Sequence, residues 1–184
     1  QDIINTALRL FNSHSYNSIG VDRIISESNV AKMTFYKYFP SKEKLIEECL
    51  IQRNINLQTS LNATLEQCDP TNYLEQIKAI FHWYTVWFES EDFNGCMFQK
   101  ALIEVIKIYP STLKPATEYK TWLTNLTQNL LRNMDIQNPN HLANLIVSIL
   151  DGMTIQAHIN RHTVQLEEYW KRVEHLIQFE KSMA

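Results

Sequence analysis

The chain has 184 residues, of which 45% are hydrophobic and 20% charged. That balance suits one globular domain or two small ones and excludes disorder for most of the length. Only 3 Gly and 5 Pro occur, too few for collagen, low complexity or a turn-rich all-β protein. The net charge of -3 is uneven: residues 1–45 hold six basic and four acidic side chains, a net of +2, while the remainder is acidic. A mildly basic head on an acidic body is compatible with one nucleic-acid face.

Helical periodicity runs through the chain. Ile4, Ala7, Leu8 and Phe11 fall at i, i+3, i+4 and i+7 and predict a first helix, which the polar stretch 12–17 breaks. Val21, Ile24 and Ile25 mark a second, ended by Ser28-Asn29, because Asn tolerates the left-handed conformation of a helix stop. A third short helix is expected over Val30–Phe39, with Val30, Phe35 and Phe39 inward against Phe11 and Ile24. Pro40 stops it and Ser41 offers a cap to a fourth helix reaching Leu65, with Glu43 placed to suit its dipole. Asp69-Pro70 predicts the start of an aromatic-rich fifth helix, broken by Asn94-Gly95. Further helices are expected over Cys96–Ile108, Tyr119–Met134, from Asn138-Pro139 to Asn160, and from a Thr163 cap to Phe179. The reading is all-α, about nine helices, with a boundary near residue 45: a head over 1–45 and a larger helical body over 46–184.

Two short helices joined by the Ser28-Asn29-Val30 turn are the parts of a helix-turn-helix unit. Lys32, Met33, Thr34, Tyr36 and Lys37 would point outward: cations and a phenol for phosphates, a small hydroxyl and an apolar tip for base edges. Composition alone favours the plainer reading, a solvated face with two lysines. The order of residues points further. Ala7-Leu8-Arg9-Leu10-Phe11, and Val30 through Leu45 with its core Thr34-Phe35-Tyr36-x-x-Phe39-x-Ser41-Lys42-Glu43, closely resemble the TetR/AcrR family of bacterial transcriptional regulators. Gly95-Cys96-Met97-Phe98 and Leu150-Asp151-Gly152-Met153 resemble parts of its C-terminal domains more weakly. The resemblance implies a homodimer whose two heads bind a palindromic double-stranded DNA operator. By position it assigns Tyr36 and Lys42 to phosphate contacts, adds Arg23 from the second helix, and gives base reading to Lys32, Met33, Thr34 and Lys37. The chain departs from the family pattern with Asn29 and Ser15 where Gly is usual, with Gly20 where a Ser or Thr cap is usual, and without a basic N-terminal arm.

In the body, Ile77, Ile80, Phe81, Tyr84, Trp87 and Phe88 share one broad face, with Trp83 at its edge. This is either plain core or, as the resemblance implies, part of an apolar effector cavity lined by Phe81, Tyr84, Trp87, Phe88, Met97, Tyr119 and Trp122. A neutral or weakly polar, partly aromatic small molecule is the expected effector. Stripes along Leu142, Leu145, Ile146, Ile149, Met153 and along Leu166, Tyr169, Trp170, Val173, Ile177 suit a four-helix dimer bundle, with Leu145, Ile146, Ile149, Met153, Tyr169, Trp170 and Val173 at the interface.

No run approaches eighteen uncharged apolar residues, so no membrane span is expected. Gln1 is not an initiator Met, which suggests a trimmed start, and no signal peptide is visible after it. Cys49, Cys68 and Cys96 are scattered, which fits reduced thiols in a cytoplasm. His158 and His162 lack the Glu of a zinc-helix motif, Asp151 is expected to be a satisfied polar residue, and no phosphate loop, nucleophile elbow or C-x-x-C occurs. The expectation is therefore no enzyme, metal or cofactor, but a cytoplasmic, ligand-responsive regulator, a repressor released by its effector. The alternative is a similar helical dimer serving as a protein-interaction module without operator binding.

Overall fold

The structure is a computed structural model that describes residues 2–183. Among them lie nine α-helices: α1 Asp2–Ser13, α2 Val21–Glu27, α3 Lys32–Tyr38, α4 Lys42–Leu65, α5 Tyr73–Glu89, α6 Met97–Glu104, α7 Leu113–Arg132, α8 Pro139–Asn160 and α9 Leu166–Ser182. Single 3-10 turns cover Pro110–Thr112 and Arg161–Thr163. No strand occurs among the described residues.

Backbone contacts group the chain into two compact units, Gln1–Leu57 with Asn94–Tyr119, and Gln58–Phe93 with Lys120–Ala184. This division differs from the boundary read at residue 45. The first unit takes α1 to α3 and the start of α4, but also α6. Its core holds Ala7, Leu10, Phe11, Tyr16, Ile19, Ile24, Phe35, Leu45, Leu50, Met97, Phe98 and Ala101. The α1 stripe is rotated slightly from the one expected: Ile3, Ala7, Leu10 and Phe11 are buried, and Ile4 and Leu8 lie on its flank. The second unit packs α5 against α8 and α9 around Ile80, Phe81, Phe88, Leu123, Leu131, Ile146, Leu150, Met153, Val173 and Ile177.

Local chemistry explains where the helix ends fall. Ser41 Oγ accepts from Lys44 N at 3.1 Å, the expected cap of α4. The fifth helix starts at Tyr73, three residues past Pro70. Asp69 instead closes a turn through the Thr71 N–H and hydroxyl, while Asn72 accepts from Glu75 N and donates back to the Glu75 carboxylate. Asn72 thus caps one orphan N–H of the first turn, and the bond between its side-chain amide and the Glu75 carboxylate holds it in place. α7 begins six residues before Tyr119 and runs through Pro115, which sits in a first turn whose N–H groups need no intrahelical acceptor. α6 is shorter than expected and ends at Glu104. α9 starts at Leu166, because Thr163 turns its hydroxyl onto Asn160 O instead of capping.

Within Pro139–Thr163 an 18-residue window has a mean hydropathy of 1.3, so the helix is long and apolar enough to cross a membrane, which a search for unbroken apolar runs does not reveal. In the fold its apolar residues Leu142, Ala143, Ile146, Val147, Leu150 and Met153 pack into the core of the second unit.

Asn29 has φ 54, the left-handed conformation that the α2 stop requires. Asn29→Val should destabilise the protein by about 1–2 kcal/mol, because a β-branched residue is strained there, whereas Asn29→Gly should change stability little. Thermal unfolding of the two variants checks this.

Candidate nucleic-acid interface

The α2–turn–α3 unit is held from within and open on one side. Ser28 N donates to Ile24 O at 2.9 Å and Ser28 Oγ to Ile25 O at 3.2 Å, which closes the C-terminus of α2. Ala31 precedes α3 without a side-chain cap, and Phe39 N donates to Phe35 O at its end. Phe35 is the one fully buried residue of α3, its ring 5.3 Å edge-on from Tyr36 and 5.8 Å from Phe39. Val30 and Phe39, expected inward with it, are only half-buried. Met33 is 87% exposed and Tyr36 44% exposed; Lys32, Thr34 and Lys37 are exposed beside them. The five residues read as a recognition surface therefore share one open face.

The cations behave unequally. Lys32 Nζ lies 3.1 Å from Asp22 Oδ1. Glu27 is gripped twice, by Arg9 at 2.5 Å and by Arg23 Nε at 2.8 Å. Hydrogen bonds from Arg9 and then Arg23 hold the Glu27 carboxyl below its ordinary range. Lys42 is half-buried, and burial lowers its pKa. Lys44 pairs with Glu47 and Glu48. Lys37 lies 6.0 Å from the ring centre of Tyr38, with no ion pair among the described residues.

A second set of residues was missed from sequence. Lys100 on α6 donates to Phe11 O at 2.7 Å, Asn12 O at 3.0 Å and His14 O at 3.1 Å. It thereby satisfies the orphan carbonyls at the end of α1 and opposes the negative end of its dipole. One turn on, Glu104 accepts from Tyr16 N at 2.7 Å and Ser15 Oγ at 2.8 Å. Tyr16, fully buried, donates its hydroxyl to Met97 O, and burial pushes its pKa up. Lys100 and Glu104 stand four apart on a predicted helix, but their partners lie 86 to 89 residues away, and no local pattern marks such a pair.

The other expected residues are placed as follows. Phe81, Tyr84 and Phe88 are buried in the second unit and Trp87 is half-buried. Trp87 packs 5.0 Å from Phe93 and 5.8 Å from Tyr84. Trp83, expected at an edge, is buried, and its Nε1 donates to Ser60 Oγ at 3.0 Å. Trp122 is half-buried in the same unit. Met97 and Tyr119 belong to the first unit, where Tyr119 stacks on Phe98 at 5.4 Å. Of the residues read as a dimer surface, Ile146, Met153, Trp170 and Val173 are buried in their own chain. This corrects their assignment: the apolar stripe visible in the sequence is the core stripe. Leu145 remains exposed, and Ile149 and Tyr169 are half-buried. Asp151 pairs with Lys120 of its own chain, and His158 packs against Phe93.

This is an all-helical protein with a helix-turn-helix head. The family model for bacterial regulatory proteins of the tetR family matches residues 3–49, the helix-turn-helix head and the start of α4. The HTH-type transcriptional regulator YuxN of Bacillus subtilis is 52% identical over 44 residues, 24% of this chain and only 15% of that protein. The HTH-type transcriptional repressor DhaR of a Mycobacterium species is 20% identical over 179 residues, 92% of this chain and 87% of that one. Among solved structures, the TetR-family regulator SCO4454 of Streptomyces coelicolor superposes with a TM-score of 0.84 at 22% identity, covering 98% of this chain and 94% of that one. CifR, a TetR-family regulator crystallised with double-strand operator DNA, gives 0.76 at 18% identity, covering 97% and 95%.

Lys100→Met keeps the aliphatic stem and removes the donors. It should cost about 2 kcal/mol of stability, the range for lost hydrogen bonds to a charged group. Urea unfolding checks this.

Proposed function

We propose that the protein is a homodimeric repressor that binds a palindromic operator through α3 and leaves it when a small-molecule effector binds. The observation that carries this reading is the α3 face, which turns Phe35 inward and presents Lys32, Met33, Thr34, Tyr36 and Lys37 outward. Tyr36 and Lys42 serve as phosphate contacts, with Arg23 once its partner releases it. Lys32, Met33, Thr34 and Lys37 read base edges. The operator complex of CifR and the repressor DhaR are relatives in keeping with this role.

Seven residues bury too little on DNA to bind tightly alone. A two-fold dimer with heads about 34–36 Å apart reaches successive major grooves on one face of the duplex. The outward side of α8 suits that dimer. Leu145, Ile155 and Ile159 are exposed there, and a Cβ added at Gly152 would meet nothing within 4 Å. On α9, Phe179 is exposed and Tyr169 and Leu176 are half-buried, and Met183 just past its end is exposed.

The effector site is assigned to the aromatic side of α5, with Phe81, Tyr84, Trp87 and Phe88, and to Trp122. These rings combine apolar area with oriented donors and suit a neutral, partly aromatic compound. An effector favouring one arrangement of α4 and α5 lowers operator affinity by its own difference in affinity between the two states.

Two experiments test the reading. Tyr36→Ala should weaken binding to every duplex by about tenfold, and Thr34→Ala should change sequence preference while leaving random duplex binding unchanged. Anisotropy titrations over a salt series distinguish these outcomes, and unchanged affinity in Tyr36→Ala would exclude the docking. Gly152→Leu should fold normally, since its site is open, but elute as a monomer in size-exclusion chromatography with light scattering.

A further inference from the structure

We propose that Asp22 and Glu27 set the DNA selectivity of the head: by holding Lys32, Arg23 and Arg9 in ion pairs, they keep these cations from gripping a phosphate backbone indiscriminately. The proposal rests on the DNA-binding reading of α3 and deepens it.

The geometry is specific. Asp22 sits in the first turn of α2 and reaches across to Lys32, the first residue of α3, at 3.1 Å. Glu27 ends α2 and spends both oxygens, one on Arg23 from its own helix and one on Arg9 from α1. Both carboxylates therefore come from the helix beside the recognition helix. Of the six basic residues in the first 45, three are held by these two carboxylates, and Lys44 is held by Glu47 and Glu48. Lys37 and Lys42 have no ion pair among the described residues. Of the other two acidic side chains here, Glu43 accepts from Ser111 N at 3.1 Å and Asp2 lies in the first turn of α1.

Sequence-independent affinity for DNA comes from the number of phosphates neutralised and the counterions this releases. A lysine paired at about 3 Å presents a dipole whose field fades well inside the roughly 10 Å screening length of a dilute salt solution. A phosphate that approaches Lys32 must also face Asp22, or displace it. On a random duplex nothing offsets that repulsion. On a fitted site the base contacts of α3 do, and the carboxylate swings into solvent; Asp22, 84% exposed, is free to move. The carboxylates thus penalise the wrong duplex more than the right one, and selectivity lies in that difference. Exposed pairs of this kind contribute little to stability, so their effect is expected in binding.

The test uses the full chain, a random-sequence 30-base-pair duplex (about three helical turns), and a duplex that the wild type selects from a random library. Asp22→Asn and Glu27→Gln should each tighten binding to the random duplex about three- to tenfold at low salt. Each should steepen the salt dependence by about 0.9 in log–log slope, one phosphate's worth. The selected duplex should gain less, so the preference ratio falls. If neither variant tightens random binding while Tyr36→Ala still weakens it, the DNA-binding reading stands and the proposal is overturned. Weaker binding of Asp22→Asn to the selected duplex alone also overturns it, since Asp22 would then be positioning Lys32. A wild-type protein that binds no duplex at low salt removes both readings. Should Glu27→Gln loosen the α1–α2 contact, Asp22→Asn carries the test, because its pair is exposed on both sides.

Discussion

A seven-residue helix cannot persist in water by itself, because nucleation costs more than so few hydrogen bonds return. α3 is such a helix, and its N-terminus has no side-chain cap. Its existence depends on Phe35, whose ring is sealed in the core while its neighbours stay in solvent. The economy of that anchor has a functional consequence. With packing concentrated in Phe35 and partly in Phe39, the outward positions are released from structural duty. Thr34 and Tyr36 can stand where good helix formers would otherwise be preferred.

The anchor in turn needs a fixed floor. α1 and α2 supply it, and α6 fixes the end of α1. Lys100 gathers three carbonyls where α1 stops, and Glu104 gathers the Ser15 hydroxyl and the Tyr16 N–H of the following turn. Ser15, which stood out as a departure from the Gly usual in the resembling family, gains a purpose here: its hydroxyl reaches the carboxylate. The head therefore extends beyond a local sequence motif. A helix some ninety residues further along completes it, which is why the backbone grouping places α6 with α1 to α3.

What the sequence made legible follows from the range of the forces involved. The αL stop at Asn29, the Ser41 cap and the open face of α3 depend on neighbours a few residues away, and each was readable. The start of α5 was misread because two acceptable caps, Asp69 and Asn72, lie three residues apart, and the reciprocal bond with Glu75 decides between them. The α6 clamp and the ion pairs of Arg9 with Glu27 and of Lys32 with Asp22 depend on partners that only folding brings together. The expected dimer residues were misplaced for a related reason. A helix that is apolar around much of its circumference carries two stripes, and periodicity alone does not say which one its own chain consumes.

α8 is that helix, and its second stripe follows from the first. Once Leu142, Ile146, Leu150 and Met153 are committed inward, Leu145, Ile155 and Ile159 are left on the opposite side with Gly152 between them. Nothing in the core requires glycine there, since a Cβ would meet open space. Its helix interior position costs about 1 kcal/mol relative to alanine, which needs an offset elsewhere. Close approach of a second helix is the natural one, because a residue without a side chain lets two backbones come together over a short crossing. The neighbouring charge does not oppose this: Asp151 is already neutralised by Lys120 of the same chain. A symmetric partner presenting the same stripe would bury isoleucines against isoleucines, and the apolarity of α8, excessive for a helix with one buried side, becomes appropriate for one with two.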